Sequence, residues 1–325
     1  MQQIAWGIQM GKTTNNKFLD ELLSLKDQIL FKEKFAFERN PSNIVIAGMG
    51  GSGIAGRLFQ EIYSDIPVFI SNGYSLPKFI GKDSIVVCIS YSGNTEETIS
   101  AYEEATRKNA QLAVITSGGE LLSKGRNVVK IPSGISPRSA LGYMLMPLLN
   151  TFCKIPEEDI LKARTIISKL DRDNSKEKKI AEEIFEGEHI PIVYSTSPND
   201  SIAYRWNTQF NENSKILALW SSFPELNHNN TMALRNTYRK ELFYPICIKS
   251  NPDERISTRI TATEKVTNIK FKRIIEAEGT STFAKLTYLL HVGDYISYHL
   301  AKLRNMDPLD ITSIEELKSM INKRR

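Results

Sequence analysis

The 325-residue chain has few of the residues that build disulfide frameworks or metal clusters. Its three cysteines, Cys88, Cys153 and Cys247, are far apart and odd in number, and its four histidines show no ligand-like spacing. A disulfide scaffold is therefore not expected, no zinc site can be argued, and the pattern fits a reducing cytoplasm. Long apolar runs are missing as well. Leu141 to Phe152 is too short to span a bilayer and is interrupted by Pro147. The long helix expected over Phe283 to Leu303 carries Lys285 and Asp294, which argue against a membrane span. Met1 to Asn16 has no apolar core of the kind a secretion signal needs. Charge of one sign is scarce too: 42 Lys and Arg face 37 Asp and Glu, a formal net charge of +5, and the basic residues are scattered. Neither a membrane nor a nucleic acid is expected as a partner. What remains is the composition of a soluble globular protein with length for roughly two domains.

Two short tracts carry most of the information. Gly48-Met49-Gly50-Gly51-Ser52-Gly53 follows the apolar run Ile44–Ala47, and Ser90-Tyr91-Ser92-Gly93-Asn94-Thr95 follows Ile85–Ile89. Each leads into a segment with helical spacing. Glycine lets a backbone approach a ligand closely, and the free N–H groups of a helix start attract an anion. The second tract adds the hydroxyls of Ser90, Ser92 and Thr95 and contains no acid. Hydroxyls and bare amides at the carboxyl ends of two parallel strands suit a phosphate monoester.

From Phe18 to about Phe152 the pattern alternates helix and strand, with strands expected at 44–47, 68–70, 85–89, 112–116 and 128–131. Such alternation means an α/β fold, a mostly parallel sheet with helices on both faces. Pro156 followed by three acids reads as a new helix start, which puts a domain boundary near there and gives domains of 1–153 and 154–325. The dense charges of Asp171 to Lys179 read as a solvated helix face. Further on, 190–194, 216–220 and 242–246 read as strands, and Asp200 to Glu212 as a helix. Ser313 and Glu316 form a capping-box pattern for a terminal helix ending in Lys323, Arg324 and Arg325. Asn94 and Glu97 look like a similar pair. The second half repeats the plan of the first at low resolution, with Ser195-Thr196-Ser197 where a phosphate loop would sit but without its glycines.

Gly48, Gly50 and Gly53 also satisfy the G-x-G-x-x-G pattern of dinucleotide enzymes. That pattern calls for an acid at the end of the second strand, where this chain has Ile70-Ser71-Asn72. Its context fails, and no nucleotide or other cofactor is expected.

Read together, the two tracts resemble the sugar isomerase (SIS) domain. Ser136-Pro137-Arg138-Ser139-Ala140-Leu141, Phe210-Asn211-Glu212-Asn213 and Pro224-Glu225-Leu226-Asn227-His228-Asn229 narrow the match, with Asp307-Pro308 and Ile314-Glu315-Glu316-Leu317-Lys318 near the end. The set is similar to the bifunctional phosphoglucose/phosphomannose isomerases over about residues 18–325. The resemblance implies two SIS domains of flavodoxin-like winding plus a C-terminal helix. It implies a metal-independent aldose–ketose isomerase working through a cis-enediol, and a homodimer in which the partner subunit completes the site with His228. Carried over residue by residue, it makes Glu212 the proton-transfer base, His228 and Lys318 the ring-opening groups and Arg138 the stabiliser of enediolate charge. Ser90, Ser92 and Thr95 would hold the phosphate, with Gly50, Gly51 and Ser52 close to the sugar.

Each assignment has a plainer reading: a solvent-facing glutamate, a loop histidine bonded among Asn227, Asn229 and Asn230, a surface arginine, a solvated lysine. His291 and His299 read as structural. Two other functions stay open, an isomerase of a different sugar phosphate and a sugar-phosphate sensor without turnover.

Overall fold

The computed structural model describes residues 17–250 and 254–322. Met1–Asn16 and the terminal Lys323, Arg324 and Arg325 lie outside the described residues. The chain forms two compact units. Among the described residues, one gathers Leu23–Arg172 with Ala277–Leu289, and the other gathers 17–22, 173–250, 254–276 and 290–322.

The first unit is built on five parallel strands, β1 (Asn43–Gly48), β2 (Val68–Ser71), β3 (Ser84–Ile89), β4 (Gln111–Thr116) and β5 (Val128–Lys130), in the order β2-β1-β3-β4-β5. All six residues of β3 are buried, as a parallel strand covered on both faces requires, which is why it reads as an unbroken apolar run. On one face Val45, Val86 and Val114 pack with Ala101, Tyr102 and Ala105 of the helix Glu96–Arg107. The helix Gly50–Ile62 packs on the helix Leu141–Phe152. The strand order is that of flavodoxin-like folds, whose direction of winding reverses between β1 and β3. Both glycine- and serine-bearing tracts therefore leave the carboxyl ends of the two strands at the switch point, where ligands bind in such sheets.

The expected division after residue 153 falls inside this unit, which runs on through the helix Glu157–Arg172. That helix buries Ile160, Ala163, Ile167 and Leu170 and is tied back to the chain's start by Lys26–Asp171 at 3.2 Å and Arg164–Asp27 at 3.1 Å. The charged stretch 171–179 is not one helix face. The chain breaks at Asp173, whose carboxylate accepts the Ser175 amide, and a second helix, Ser175–Glu186, follows with Glu177 buried.

The second unit holds four parallel strands, β6 (Ile190–Thr196), β7 (Leu219–Phe223), β8 (Phe243–Lys249) and β9 (Arg273–Glu276), ordered β7-β6-β8-β9. This repeats the winding of β2-β1-β3-β4. The strand expected at 216–220 begins three residues later. Asn211 and Asn207, on the helix Asp200–Glu212, take up the amide and carbonyl of Ala218, so those groups are not free for the sheet until Leu219. At the end of β6 the Ser195 hydroxyl donates to the Asp200 carboxylate at 2.7 Å. A carboxylate there repels a phosphate, so this copy of the loop is no anion site. No helix among the described residues is long and apolar enough to cross a membrane.

Candidate active site

In the first unit the serine tract folds into a tight loop. Gly93 adopts φ +74°, a left-handed conformation, and stands against the Gly118 carbonyl where a side chain would collide. Ser90 is buried. Its hydroxyl lies 2.8 Å from that of Thr95 and accepts the Gly93 amide at 3.1 Å. Ser92 is exposed and accepts the Asn94 amide. The capping pair expected between Asn94 and Glu97 does not form. The Asn94 side chain accepts the Glu120 amide instead, and Thr95, at the cap position of Glu96–Arg107, makes no side-chain cap. The first amides of that helix are thus left uncapped beside three hydroxyls, the arrangement that receives an oxyanion.

The glycine tract serves a different purpose. Gly51 lies so close to the 3-10 turn Pro137–Ser139 that a Cβ there would come within 2.9 Å of Arg138 Cα. Arg138, only 5% exposed, thus has its backbone set directly against Gly51. Ser52 is buried and its hydroxyl donates to the Met144 sulfur at 3.4 Å, so its side chain packs into the unit. Sequence reasoning missed Gln28. Its fully buried amide donates to the Ser139 carbonyl at 2.7 Å and accepts the Gly142 amide at 2.9 Å, fixing both sides of the Arg138 turn. The one available signal was a glutamine set between Leu25 and Ile29 in an apolar stripe.

In the second unit Glu212 is the last residue of the helix Asp200–Glu212 and is half-buried. That helix end is held from several sides. Arg205 and Asp294, both buried, pair through contacts of 2.9 and 3.2 Å, and Gln209 donates to the same carboxylate at 2.7 Å. Asn213 donates to the Ser297 hydroxyl and Ser214 to the Ser297 carbonyl, while Arg304 holds the Ser214 carbonyl. Lys215 reaches back to the Glu212 carbonyl and across to that of Asp310. Glu212 lines a cleft of about 490 Å³ with Asn211, Ile216 and the start of the terminal helix Thr312–Asn322. That helix begins before the capping box expected at Ser313. The Asp310 carboxylate accepts both the amide and the hydroxyl of Thr312, and these bonds hold it below the usual carboxylate range.

His228 and Lys318 are exposed, and neither is among the residues lining the Glu212 cleft. The asparagines beside His228 are engaged elsewhere. Asn227 bonds Thr263 and Arg259, and Asn229 bonds Glu225 and the Asn230 amide. They anchor the turn and leave the imidazole outward. The structure thus collects Ser90, Ser92, Thr95, Gly50, Gly51 and Arg138 on the first unit, and Glu212, His228 and Lys318 on the second.

Comparison with known proteins agrees with both halves. The family model for the SIS domain matches residues 39–141, and that for the bacterial phospho-glucose isomerase C-terminal SIS domain matches 173–321. A protein of Thermoplasma volcanium named bifunctional phosphoglucose/phosphomannose isomerase is 53% identical over 305 residues, 94% of this chain and 99% of its own. A D-glucosamine-6-phosphate 4-epimerase of Sulfolobus acidocaldarius is 32% identical over 69% of this chain and 74% of its own. Among solved structures, a hypothetical protein of Thermus thermophilus superposes with a TM-score of 0.76 over 99% of this chain and 96% of that one, at 13% identity, a likeness of fold. On the motifs, the two sheets and this identity, the chain belongs to the bifunctional phosphoglucose/phosphomannose isomerase family of SIS-domain proteins.

Proposed function

We infer that the chain is an aldose–ketose isomerase that interconverts glucose 6-phosphate and mannose 6-phosphate with fructose 6-phosphate. The observation that carries this is the 53% identity, across nearly the whole of both chains, to a relative named for both activities. The site residues supply chemistry that fits. The uncapped amides of Glu96–Arg107 and the hydroxyls of Ser90, Ser92 and Thr95 take the phosphate. The reaction moves one proton between C1 and C2 and requires a single base that takes and returns it, so no step calls for a Lewis acid. Glu212 is that base, held in place by the buried ion pair and the hydrogen bonds around its helix end. Arg138 stabilises the enediolate, its permanently charged guanidinium following charge that spreads over adjacent oxygens. His228, whose ring nitrogens can donate and accept a proton, and Lys318 open the ring. The backbone of Gly50, Gly51 and Ser52 forms the wall beside the sugar, with the Ser52 hydroxyl turned inward to Met144.

A homodimer in which the partner supplies His228 is part of the reading: an exposed imidazole on an anchored turn suits contribution to a second copy. A cytoplasmic location is proposed from three free cysteines. Neither nucleic acid nor membrane is assigned as a partner. The epimerase relative favours one alternative, inversion at C4 of an amino sugar phosphate. Glucosamine 6-phosphate offered as substrate separates the two.

Glu212→Gln is the test of the base. The expected result is loss of at least about a thousandfold in kcat with phosphate-sugar binding kept, since the amide preserves shape and removes basicity. Turnover near the parent's would remove Glu212 from that role.

A further inference from the structure

We propose that the second unit carries a second ligand site, for a small amphipathic anion, separate from the isomerase residues. It is a cavity of about 560 Å³ on the face of the sheet covered by the helices Asn230–Asn236 and Glu254–Thr267, near the amino ends of β6, β7 and β8. That volume is in the range of pockets that hold small organic molecules. Ile192, Leu219, Leu234, Phe243, Pro245 and Ile269 make its walls apolar. A hexose phosphate, with a hydroxyl on nearly every carbon, would lose its hydrogen bonds against such walls.

Two further features say what kind of molecule it takes. Tyr194 lines the cavity, and although the residue as a whole is only 1% exposed, its hydroxyl takes no partner among the described residues and is left to face the cavity. A tyrosine hydroxyl on an otherwise apolar wall is a polar handle for whatever enters. Burial raises the phenol's pKa above its ordinary value, so it is protonated at neutral pH and able to donate to an acceptor in the cavity. At the mouth stand the exposed lysines Lys270 and Lys272, against a single acid, Glu241. A third lysine, Lys240, spends its ammonium on the carbonyls of Arg235 and Thr267. The cavity therefore fits a molecule with an apolar body, an acceptor at its inner end and a negative charge at its outer end.

The experiment is a titration of the full-length protein with para-methoxyphenylpropanoate, followed by the fluorescence of Trp220, which lines the cavity, and by calorimetry. Saturable binding of one probe per chain is expected. The double variant Lys270→Glu/Lys272→Glu, altered only at the exposed mouth, should weaken it about tenfold, and the uncharged alcohol of the same skeleton should bind the parent about tenfold more weakly. Tyr194→Phe should weaken the methoxy probe several-fold and leave unsubstituted phenylpropanoate unchanged. Ala233→Trp, which fills the cavity from its helical wall, should abolish binding. The proposal fails if no saturable binding appears at millimolar probe, if acid and alcohol bind alike, or if the charge reversal changes nothing. It fails equally if fructose 6-phosphate displaces the probe, because the cavity would then belong to the substrate site. None of these readouts depends on turnover, so a different substrate for the enzyme would leave the proposal standing.

Discussion

Gly51→Ala asks whether the glycine tract serves to seat Arg138. The added Cβ would lie 2.9 Å from Arg138 Cα, 3.1 Å from the Pro137 carbonyl oxygen and 3.3 Å from the Arg138 amide nitrogen, whereas ordinary contact begins near 3.4 Å. All three neighbours are backbone, so the turn must retreat by about half an ångström, the gap between 2.9 and 3.4 Å. At the far end of a long side chain a tilt of that size grows to roughly 1 Å, a displacement that costs about a hundredfold where a charged group must meet a developing charge. Stability should respond far less. Overpacking costs about 1–3 kcal/mol, while alanine in place of glycine in a helix returns up to about 1 kcal/mol. The expected phenotype is a folded enzyme, melting within a few degrees of the parent, whose kcat for fructose 6-phosphate falls between about tenfold and a hundredfold. Gly81→Ala is the control, because nothing lies within 4 Å of a Cβ at that position. A Gly51→Ala enzyme with the parent's kcat would show that Arg138 is not set by this contact or takes no part in the reaction; Arg138→Ala distinguishes the two.

Asp294→Ala leaves the guanidinium of Arg205, 1% exposed, without its carboxylate, and should cost about 3–5 kcal/mol in urea unfolding. A loss under about 1 kcal/mol would mean that the pair does not anchor the Glu212 helix. Burial pushes the His299 imidazole, hydrogen-bonded to Asn174 at 2.7 Å, down to about 4. Its folded value is depressed, so the neutral ring contributes stability above its unfolded value of 6.5, and that contribution is lost as pH falls from there toward 4. His299→Gln should flatten the pH dependence of unfolding in this window, and curves parallel to the parent's would contradict the assignment.

Much of this was legible in the sequence because its causes are local. Buried parallel strands such as Ile85–Ile89 must be apolar on both faces, and the helix at Asp200–Glu212 shows its own periodicity. The two tracts at the carboxyl ends of β1 and β3 reveal themselves by composition. What stayed hidden depends on partners distant in the chain. Asp294 reads only as an interruption of an apolar helix, yet it is the buried partner of Arg205, 89 residues away. Gln28 bonds across more than a hundred residues to the Arg138 turn. β7 starts later than its apolar run because side chains of the preceding helix claim Ala218, and both expected capping boxes give way to other partners, Glu120 for Asn94 and Asp310 for Thr312. Neither compact unit is one continuous stretch of chain, and composition carries no trace of that.

The most direct test of the central claim is proton NMR of the purified enzyme supplied with fructose 6-phosphate in heavy water, with EDTA present. Both glucose 6-phosphate and mannose 6-phosphate are expected to appear carrying deuterium at C2, and Glu212→Gln is expected to yield neither. No aldose phosphate over hours, or an undiminished yield from the Glu212→Gln enzyme, would contradict the claim.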